Sequence, residues 1–243
     1  MNKEENLKER FKQALISTVK VISDQYKVET GLKKNLSSKN YNFFELDNLS
    51  SKQDYIKLRA ETDSEALKRK FSNKKIYKKN LPKNSSCRLL YEISEKIRYE
   101  LLGKKMLKGI SKNLEENYNY KITIKRKDQL KTREDVKVSE AFELYMLKNF
   151  FNIKLNPLSE KILSFWENDF KSTLEKHIDY LSKNLENQKI YNSRFSKILQ
   201  EMNMFESENT DENQSQENEN EQNNENENES QAEQEKRQQQ QDQ

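Results

Sequence analysis

The residues of this chain that could do chemistry are few and widely separated. Its 243 residues include one cysteine, Cys87, and one histidine, His177. A histidine-activated nucleophile would therefore depend on His177, and neither residue has a second Cys or His at the spacing of a zinc site. A lone cysteine also offers no disulfide framework. We assign no catalytic, cofactor-binding or metal-binding residue from the sequence, and we predict that His177 is a partly exposed helical histidine.

Motifs for phosphate and magnesium binding are also missing. Gly103-Lys104-Lys105 lacks the earlier glycine and the preceding strand of a phosphate-binding loop, and no D-x-S-x-S stretch is present to hold magnesium. Glu115 and Glu116 are adjacent carboxylates, which are typical of a solvated helix end. The chain therefore has no recognisable active site, and this favours a docking role.

Charge is unevenly distributed along the chain. Residues 1–205 contain 43 Lys/Arg and 28 Asp/Glu, whereas residues 206–243 contain thirteen Asp/Glu and two Lys/Arg. A nucleic acid, an anionic partner or the acidic segment itself would fit such a basic body, and a general Lys/Asn-rich composition would also explain it. Basic residues with neighbouring aromatic residues suit phosphate contacts and base stacking, although no nucleic-acid recognition motif surrounds them. These residues are Lys68, Arg69, Lys70, Lys74, Lys75, Lys78 and Lys79 with Phe71 and Tyr77, and Lys125-Arg126-Lys127.

The spacing of apolar residues along the chain predicts a mainly α fold, and its helices would position the residues discussed above. The longest helical pattern runs from Ser85 to Asn117, with apolar residues at the three-and-four spacing of a buried stripe. We expect residues 1–205 to form an irregular multi-helix domain with one or two short strands. Residues 206–243 are predicted to be a disordered acidic linker or tail rich in Glu, Asn and Gln, because they offer no apolar surface to offset the entropy of ordering.

The other helices and the strand candidates are predicted from helix-capping residues, from prolines and from the alternation of apolar and polar residues. The predicted helices cover about residues 4–23, begin at Thr62, cover 135–150, run from Pro157 through Leu181, and cover 190–202. The strand candidates are residues 26–30 and 42–46, with an edge strand or extended loop at 118–127. The sequence contains no apolar run of membrane-spanning length and no apolar segment at its start, so the expected compartment is the cytoplasm.

The long helical pattern has two faces. Glu95, Arg98, Leu102, Met106, Gly109 and Asn113 fall within an arc of roughly 80° on a helical wheel. This arc contains an i,i+3 ion pair and a glycine that removes a side chain where another backbone could approach. We predict that Arg98, Met106, Gly109 and Asn113 contact either a second helix of this chain or a partner protein.

Glu100 and Lys104 lie inside the apolar arc of the same pattern. A carboxylate in that position needs a partner. We predict that the two residues form an ion pair that is at least partly buried and hydrogen-bonded.

The same helical pattern resembles the CobT subunit of the aerobic, ATP-dependent cobaltochelatase. The resemblance is carried by Glu95, Arg98, Glu100, Gly103, Met106, Gly109, Asn113 and Leu114. Further matching positions occur in the same order over most of residues 7–205: the stretch from Arg10 to Leu15, then Arg59, Asp63, Ala66, Leu67 and Pro82, the stretch from Ile162 to Trp166, and the stretch from Met202 to Met204.

The resemblance implies one subunit of a three-part enzyme, a ligase that forms nitrogen–metal bonds. The complex would insert Co²⁺ into hydrogenobyrinic acid a,c-diamide during aerobic cobalamin biosynthesis. A large CobN-like subunit would bind the corrin ring and the metal, and a CobS-like AAA+ subunit would hydrolyse ATP with Mg²⁺. This chain would be the non-catalytic partner of the AAA+ subunit and would itself bind no cofactor and no membrane.

Family members continue past an acidic linker into a von Willebrand A-type domain with a magnesium-holding D-x-S-x-S site. That domain is absent from residues 1–243, so its metal site is not assigned to this chain. Two alternatives remain open at this stage. The chain could be a basic helical nucleic-acid-binding protein, or a scaffold that binds basic proteins through its acidic tail.

Overall fold

The computed structural model describes residues 3–24, 51–123 and 130–202. Regular structure in these ranges is helical and contains no strand, which confirms the mainly α prediction. The α-helices are α1 Lys3–Ser23, α2 Lys52–Phe71, α3 Lys74–Lys79, α4 Ser85–Met106, α5 Lys108–Thr123, α6 Val138–Met146, α7 Pro157–Ser164, α8 Glu167–Leu174, α9 Ile178–Lys183 and α10 Gln188–Gln200.

Part of the sequence prediction falls outside these ranges. The strand candidates at 26–30 and 42–46 and the acidic segment 206–243 are not among the described residues. The edge strand or extended loop predicted at 118–127 is wrong over residues 118–123, because these six residues form the end of α5. Tyr118 explains the difference, since its ring is 1% exposed and packs at 5.4 Å from the ring of Phe151. Burial of this aromatic side chain outweighs the weak alternation of Tyr120, Ile122 and Ile124.

Helix α2 begins ten residues before the predicted start at Thr62. Ser51 caps it: its hydroxyl accepts from the Asp54 amide at 3.3 Å, and the Asp54 carboxylate accepts from the Ser51 amide at 2.8 Å. This reciprocal pair is a capping box. Thr62, Asp63 and Ser64 are buried in the middle of α2. Polar residues that resembled a helix start are therefore part of a packed helix face.

The predicted continuous helix from Ser85 to Asn117 is interrupted at Leu107. This residue is extended, with φ −141° and ψ 123°, and its amide caps α4 by donating to the Gly103 carbonyl at 3.0 Å. Helix α5 then starts, and the Leu107 carbonyl accepts from the Ser111 amide at 3.1 Å. Both α4 and α5 pack against α2.

The C-terminal half of the domain consists of short helices around an aromatic core. The ring of Phe142 packs against those of Phe170 and Phe195, with centroids 5.4 and 6.1 Å apart. The predicted helix from Pro157 through Leu181 divides into α7, α8 and α9, with a break at Trp166, whose indole NH donates to the Val136 carbonyl at 3.1 Å. The predicted helix over 135–150 is α6 followed by a π-helical turn, Leu147–Phe151.

Gly103 is the glycine at which helices approach closely. A Cβ atom at this position would overlap the side chain of Leu67 on α2, which is itself fully buried. Gly109, predicted to be the close-approach position, has no atom within 4 Å of where its Cβ would lie. The close contact between α2 and α4 therefore depends on Gly103.

We expect Gly103→Ala to lower the free energy of unfolding by about 1–3 kcal/mol, because the added methyl group overpacks a filled core. Gly109→Ala is the matched control. It should leave the unfolding free energy unchanged or raise it by up to about 1 kcal/mol, since alanine favours a helix over glycine. Urea denaturation of both variants measures the difference, and equal losses would contradict the assignment of the close contact to Gly103.

Candidate partner-contact site

Arg98 forms the polar centre of the domain. Its side chain is 0% exposed and pairs with Glu95, with Nε donating to Oε2 at 2.8 Å and an Nη donating to Oε1 at 2.9 Å. The other two contacts are to main-chain carbonyls, Leu185 at 2.8 Å and Phe71 at 2.6 Å. The predicted Glu95–Arg98 ion pair is present. Arg98 contacts the end of α2 and the segment before α10, so its contacts are within this chain.

Glu95 completes this buried cluster from the other side. Its Oε1 also accepts from the hydroxyl of Ser72 at 2.5 Å and from the side-chain amide of Gln188 at 2.9 Å. Gln188 in turn accepts from the Asn73 amide at 2.7 Å. The cluster therefore joins α4 to the C-terminal end of α2 and to the start of α10. Charge-assisted hydrogen bonds of this kind satisfy both buried charges.

Glu100 is buried, but Lys104 is not its partner. Glu100 is 1% exposed and accepts from the hydroxyl of Ser64 at 2.5 Å and from the hydroxyl of Tyr118, while the Lys96 ammonium lies 3.9 Å away. Burial, followed by the charge of Glu100, raises the pKa of Tyr118 well above its usual value. The tyrosine therefore stays protonated and remains a hydrogen-bond donor to the carboxylate.

Lys104 forms its ion pair with Glu115 instead. Lys104 Nζ lies 2.7 Å from Glu115 Oε1 and donates to the Phe151 carbonyl at 3.3 Å. The predicted Glu100–Lys104 pair was wrong because the interruption at Leu107 brings α5 back alongside α4. Glu115 is consequently an ion-pair partner inside α5, and its hydrogen bond to Lys104 lowers its pKa.

Gly109 and Asn113 of the predicted contact face line an open groove, and Met106 directly precedes the lining residue Leu107. The groove has a volume of about 440 Å³, and Val21 of α1 and Leu107 also line it. Three apolar side chains at or beside the groove are exposed: Val21 at 64%, Leu107 at 48% and Met106 at 37%. Arg98 is not part of this surface. We call Val21, Met106, Leu107 and Gly109 the apolar groove surface.

Asp63 lies in the wall of this groove. Its Oδ2 accepts from the side-chain amide of Asn113 at 2.6 Å, which joins α2 to α5. Burial raises the pKa of Asp63, and this effect is opposed by the Asn113 hydrogen bond and the charge of Arg59. The ionised carboxylate is therefore incompletely compensated in the folded protein.

His177 is buried rather than partly exposed. It ends a 3₁₀ turn, Glu175–His177, is 7% exposed, and has its Nδ1 3.2 Å from an Nη of Arg194. Burial, followed by the charge of Arg194, lowers the pKa of His177. In the described residues no group of three or more His, Cys, Asp or Glu side chains could hold a metal ion. No helix among them is long and apolar enough to cross a membrane.

Sequence reasoning missed three features of the site: the exposed Leu107, the close contact at Gly103 and the role of Gln188. Leu107 continued the apolar spacing of its helical pattern, so nothing in the sequence marked it as exposed. Val21 lies off the predicted apolar stripe of α1, which was the available signal for its exposure. Gln188 lies 93 positions from its partner Glu95.

The chain matches a protein-family model described as "Cobalamin biosynthesis protein CobT" over residues 5–243. No solved structure matches the chain.

We expect Arg98→Met to destabilise the protein by about 3–5 kcal/mol, because Glu95 would be left as an unpaired buried charge. The double variant Glu95→Gln/Arg98→Met should recover part of this loss. Arg69→Met is the control, since the Arg69–Glu65 pair at 2.9 Å is partly exposed and its loss should cost at most about 1 kcal/mol. Denaturant unfolding of the four proteins tests the assignment, and equal losses for Arg98→Met and Arg69→Met would refute it.

We expect Asp63→Asn to raise stability at neutral pH. The folded pKa of Asp63 exceeds its unfolded value of 3.8, so ionisation reduces stability as pH rises from the unfolded pKa through the folded pKa. The gain should be near zero at pH 3, grow above pH 4, and level off above the folded pKa at a value on the order of 1 kcal/mol. Unfolding measured from pH 3 to 8, with the exposed Asp179→Asn as control, checks this. A gain that does not depend on pH would contradict it.

Proposed function

The chain belongs to the CobT family of cobalamin biosynthesis proteins, and from this premise we propose that it is the CobT-type subunit of an ATP-dependent cobaltochelatase. The complex would insert Co²⁺ into hydrogenobyrinic acid a,c-diamide in the aerobic route, a ligase reaction that forms nitrogen–metal bonds. ATP and Mg²⁺ would be used by a CobS-like AAA+ subunit, and the corrin ring and Co²⁺ would be bound by a CobN-like large subunit. Because ATP drives the reaction, the complex would be cytoplasmic.

The observation that carries this proposal is the family match, which extends over residues 5–243. The described residues add a consistent physical picture. Their buried ionisable groups are paired within the domain, as Glu95 is with Arg98 and Glu100 with Ser64 and Tyr118. A domain that uses its polar groups for internal cohesion suits a non-catalytic partner. The reacting groups would therefore belong to the other two subunits.

We assign the AAA+ contact to the apolar groove surface. Val21, Met106 and Leu107 are large apolar side chains exposed beside one another, and such a patch marks an interaction site more often than isolated exposed residues do. Exposed basic residues surround it, namely Arg59, Lys105 and Lys108. The complementary surface on the partner would be a helix with apolar residues facing the groove and acidic residues at its edges.

The walls of the groove are connected to the buried core. Asp63 and Asn113 join α2 to α5 at the groove, and the same α2 ends at the Phe71 carbonyl that Arg98 binds. A displacement imposed on the groove by an ATP-driven partner would therefore move α2 together with α4. In this proposal the chain conveys a conformational change without contributing a reacting group.

The matched pair Leu107→Asp and Leu89→Asp tests the groove assignment. The two leucines are 48% and 47% exposed, so neither substitution should unfold the domain, but only Leu107 borders the groove. We expect Leu107→Asp to weaken binding to the AAA+ subunit at least tenfold, since a charge buried at the centre of an interface is costly. Leu89→Asp should bind like the unmodified chain.

Binding is measured by biolayer interferometry with the immobilised AAA+ subunit, and cobalt insertion by the reconstituted three-subunit complex. Equal binding by both variants would reject the groove and leave the subunit assignment intact. Failure of the unmodified chain to co-purify with, or to support cobalt insertion by, the other two subunits would reject the subunit assignment itself.

A further inference from the structure

Helix α3 presents a compact group of exposed lysines. Lys74, Lys75, Lys78 and Lys79 lie on this six-residue helix and Lys83 in the following turn, and all five are exposed. None forms an ion pair with a described residue. We call these five residues the lysine surface. The apolar groove surface is built from other elements, namely α1, the end of α4 and the start of α5.

Like charges repel within this surface. Lys74 and Lys78, and likewise Lys75 and Lys79, are i,i+4 neighbours on a helix, a spacing at which like charges destabilise the helix. The charges of Glu92 and Glu95 act on Tyr77 of α3, and Glu186 shares a surface cleft with Ile76. Glu95 is already paired with Arg98, which leaves Glu92 and Glu186. Two carboxylates do not balance five ammonium groups, so the lysine surface lacks counter-charges among the described residues.

Packing and capping hold the backbone of α3 in place beneath the lysine surface. Tyr77 packs its ring 5.0 Å from that of Tyr91, and the Tyr91 hydroxyl donates to the Tyr77 carbonyl at 3.2 Å. Asn73 caps α3 by accepting from the Lys75 amide at 2.9 Å. The four helical lysines therefore project from a backbone that is held in place on two sides. Because this backbone is already ordered, an oppositely charged chain binds the lysines without paying the entropy of ordering the helix.

The last described residue, Met202, lies close to the lysine surface. Met202 follows α10, and its amide donates to the Leu199 carbonyl at 3.3 Å. The same carbonyl lies 3.8 Å from the sulfur of Cys87, in the first turn of α4 and four residues after Lys83. Glu206, the first acid of the acidic segment, is four residues beyond Met202, which an extended chain covers in about 14 Å.

We propose that the acidic segment, residues 206–243, binds the lysine surface of its own chain. The segment contains thirteen Asp/Glu against two Lys/Arg and so supplies the missing counter-charge. Covalent connection gives it an effective concentration on the order of millimolar at the surface, which makes many weak ion pairs sufficient. The segment thereby shields the lysines from other polyanions, and an acidic partner must displace it. This inference is independent of the cobaltochelatase assignment.

Carbodiimide cross-linking of the full chain tests the contact directly, because it joins lysines to carboxylates that touch. We expect cross-links from residues 206–243 to the lysine surface to be at least fivefold more abundant than those to Lys137, Lys154, Lys161 and Lys176, which are also exposed and unpaired among the described residues. About 0.5 M NaCl should abolish the preference, since salt shortens the screening length. An even distribution over all lysines, or cross-links that disappear on dilution and so join two copies, would overturn the proposal.

A competition experiment provides the second measurement. In the neutral-tail variant each Asp and Glu of residues 206–243 is replaced by Asn or Gln, so the chain length is kept. This variant should bind a fluorescent ten-residue polyglutamate peptide at least tenfold more tightly than the unmodified chain does. The added changes Lys74→Gln, Lys75→Gln, Lys78→Gln and Lys79→Gln should remove the gain, whereas Lys137→Gln, Lys154→Gln, Lys161→Gln and Lys176→Gln should not.

Equal peptide binding by the unmodified and neutral-tail chains would overturn the proposal, as would equal effects of the two lysine sets. Gain of binding to a labelled oligothymidine with no gain for the peptide would assign the surface to nucleic acid and equally overturn it. All substituted lysines are exposed, so unchanged thermal midpoints are expected. Unchanged midpoints would show that a difference in peptide affinity between variants is not caused by unfolding.

Discussion

The guanidinium of Arg98 is a charge that must be neutralised inside the protein, and the arrangement of the helices around it follows from that requirement. It is fully buried and donates to one carboxylate and to the carbonyls of Phe71 and Leu185. The Phe71 carbonyl belongs to the last residue of α2, where the helix dipole concentrates negative charge. One side chain of α4 therefore fixes where α2 ends and where the segment before α10 passes. A buried ion pair adds little net stability, but its geometry has few alternatives, which suits a role in specifying the fold.

Gly103 near the end of α4 and Leu107 just after it determine how α4 and α5 pack. Gly103 allows α4 to approach Leu67 of α2, and four residues later Leu107 interrupts the helix. The interruption redirects α5 so that Lys104 pairs with Glu115 and Asn113 reaches Asp63. Leu107 is left exposed at this interruption, and it lines a groove together with Val21. The apolar groove surface is thus a consequence of how α4 ends rather than a separate feature.

Sequence patterns correctly predicted the features that depend on residues close together in the chain. They failed where a contact with a distant part of the chain determines the structure. The spacing of Leu15, Val19 and Ile22 predicted α1, and the i,i+3 spacing of Glu95 and Arg98 predicted their ion pair. The start of α2 was misplaced because Thr62 and Asp63 are cap-forming residue types, although both are buried against other helices. Lys104 was assigned the wrong partner because a helical wheel assumes an uninterrupted helix. Which of Gly103 and Gly109 allows the close helix contact depends on the position of Leu67, and the sequence does not show that position. The sequence likewise contains no signal that Gln188 lies beside Glu95.

The separation between interior and surface charges bears on how such a subunit can be regulated. Ionic interactions in the interior, such as Glu95 with Arg98, are buried and little screened by salt, so they maintain the fold at any physiological ionic strength. The lysines of α3 are exposed and lack partners among the described residues, so whatever binds them is held by interactions that salt and competing polyanions weaken readily. A partner that uses the apolar groove and one that uses the lysines would consequently respond differently to ionic strength. This difference lets the same rigid body bind one partner persistently and release another.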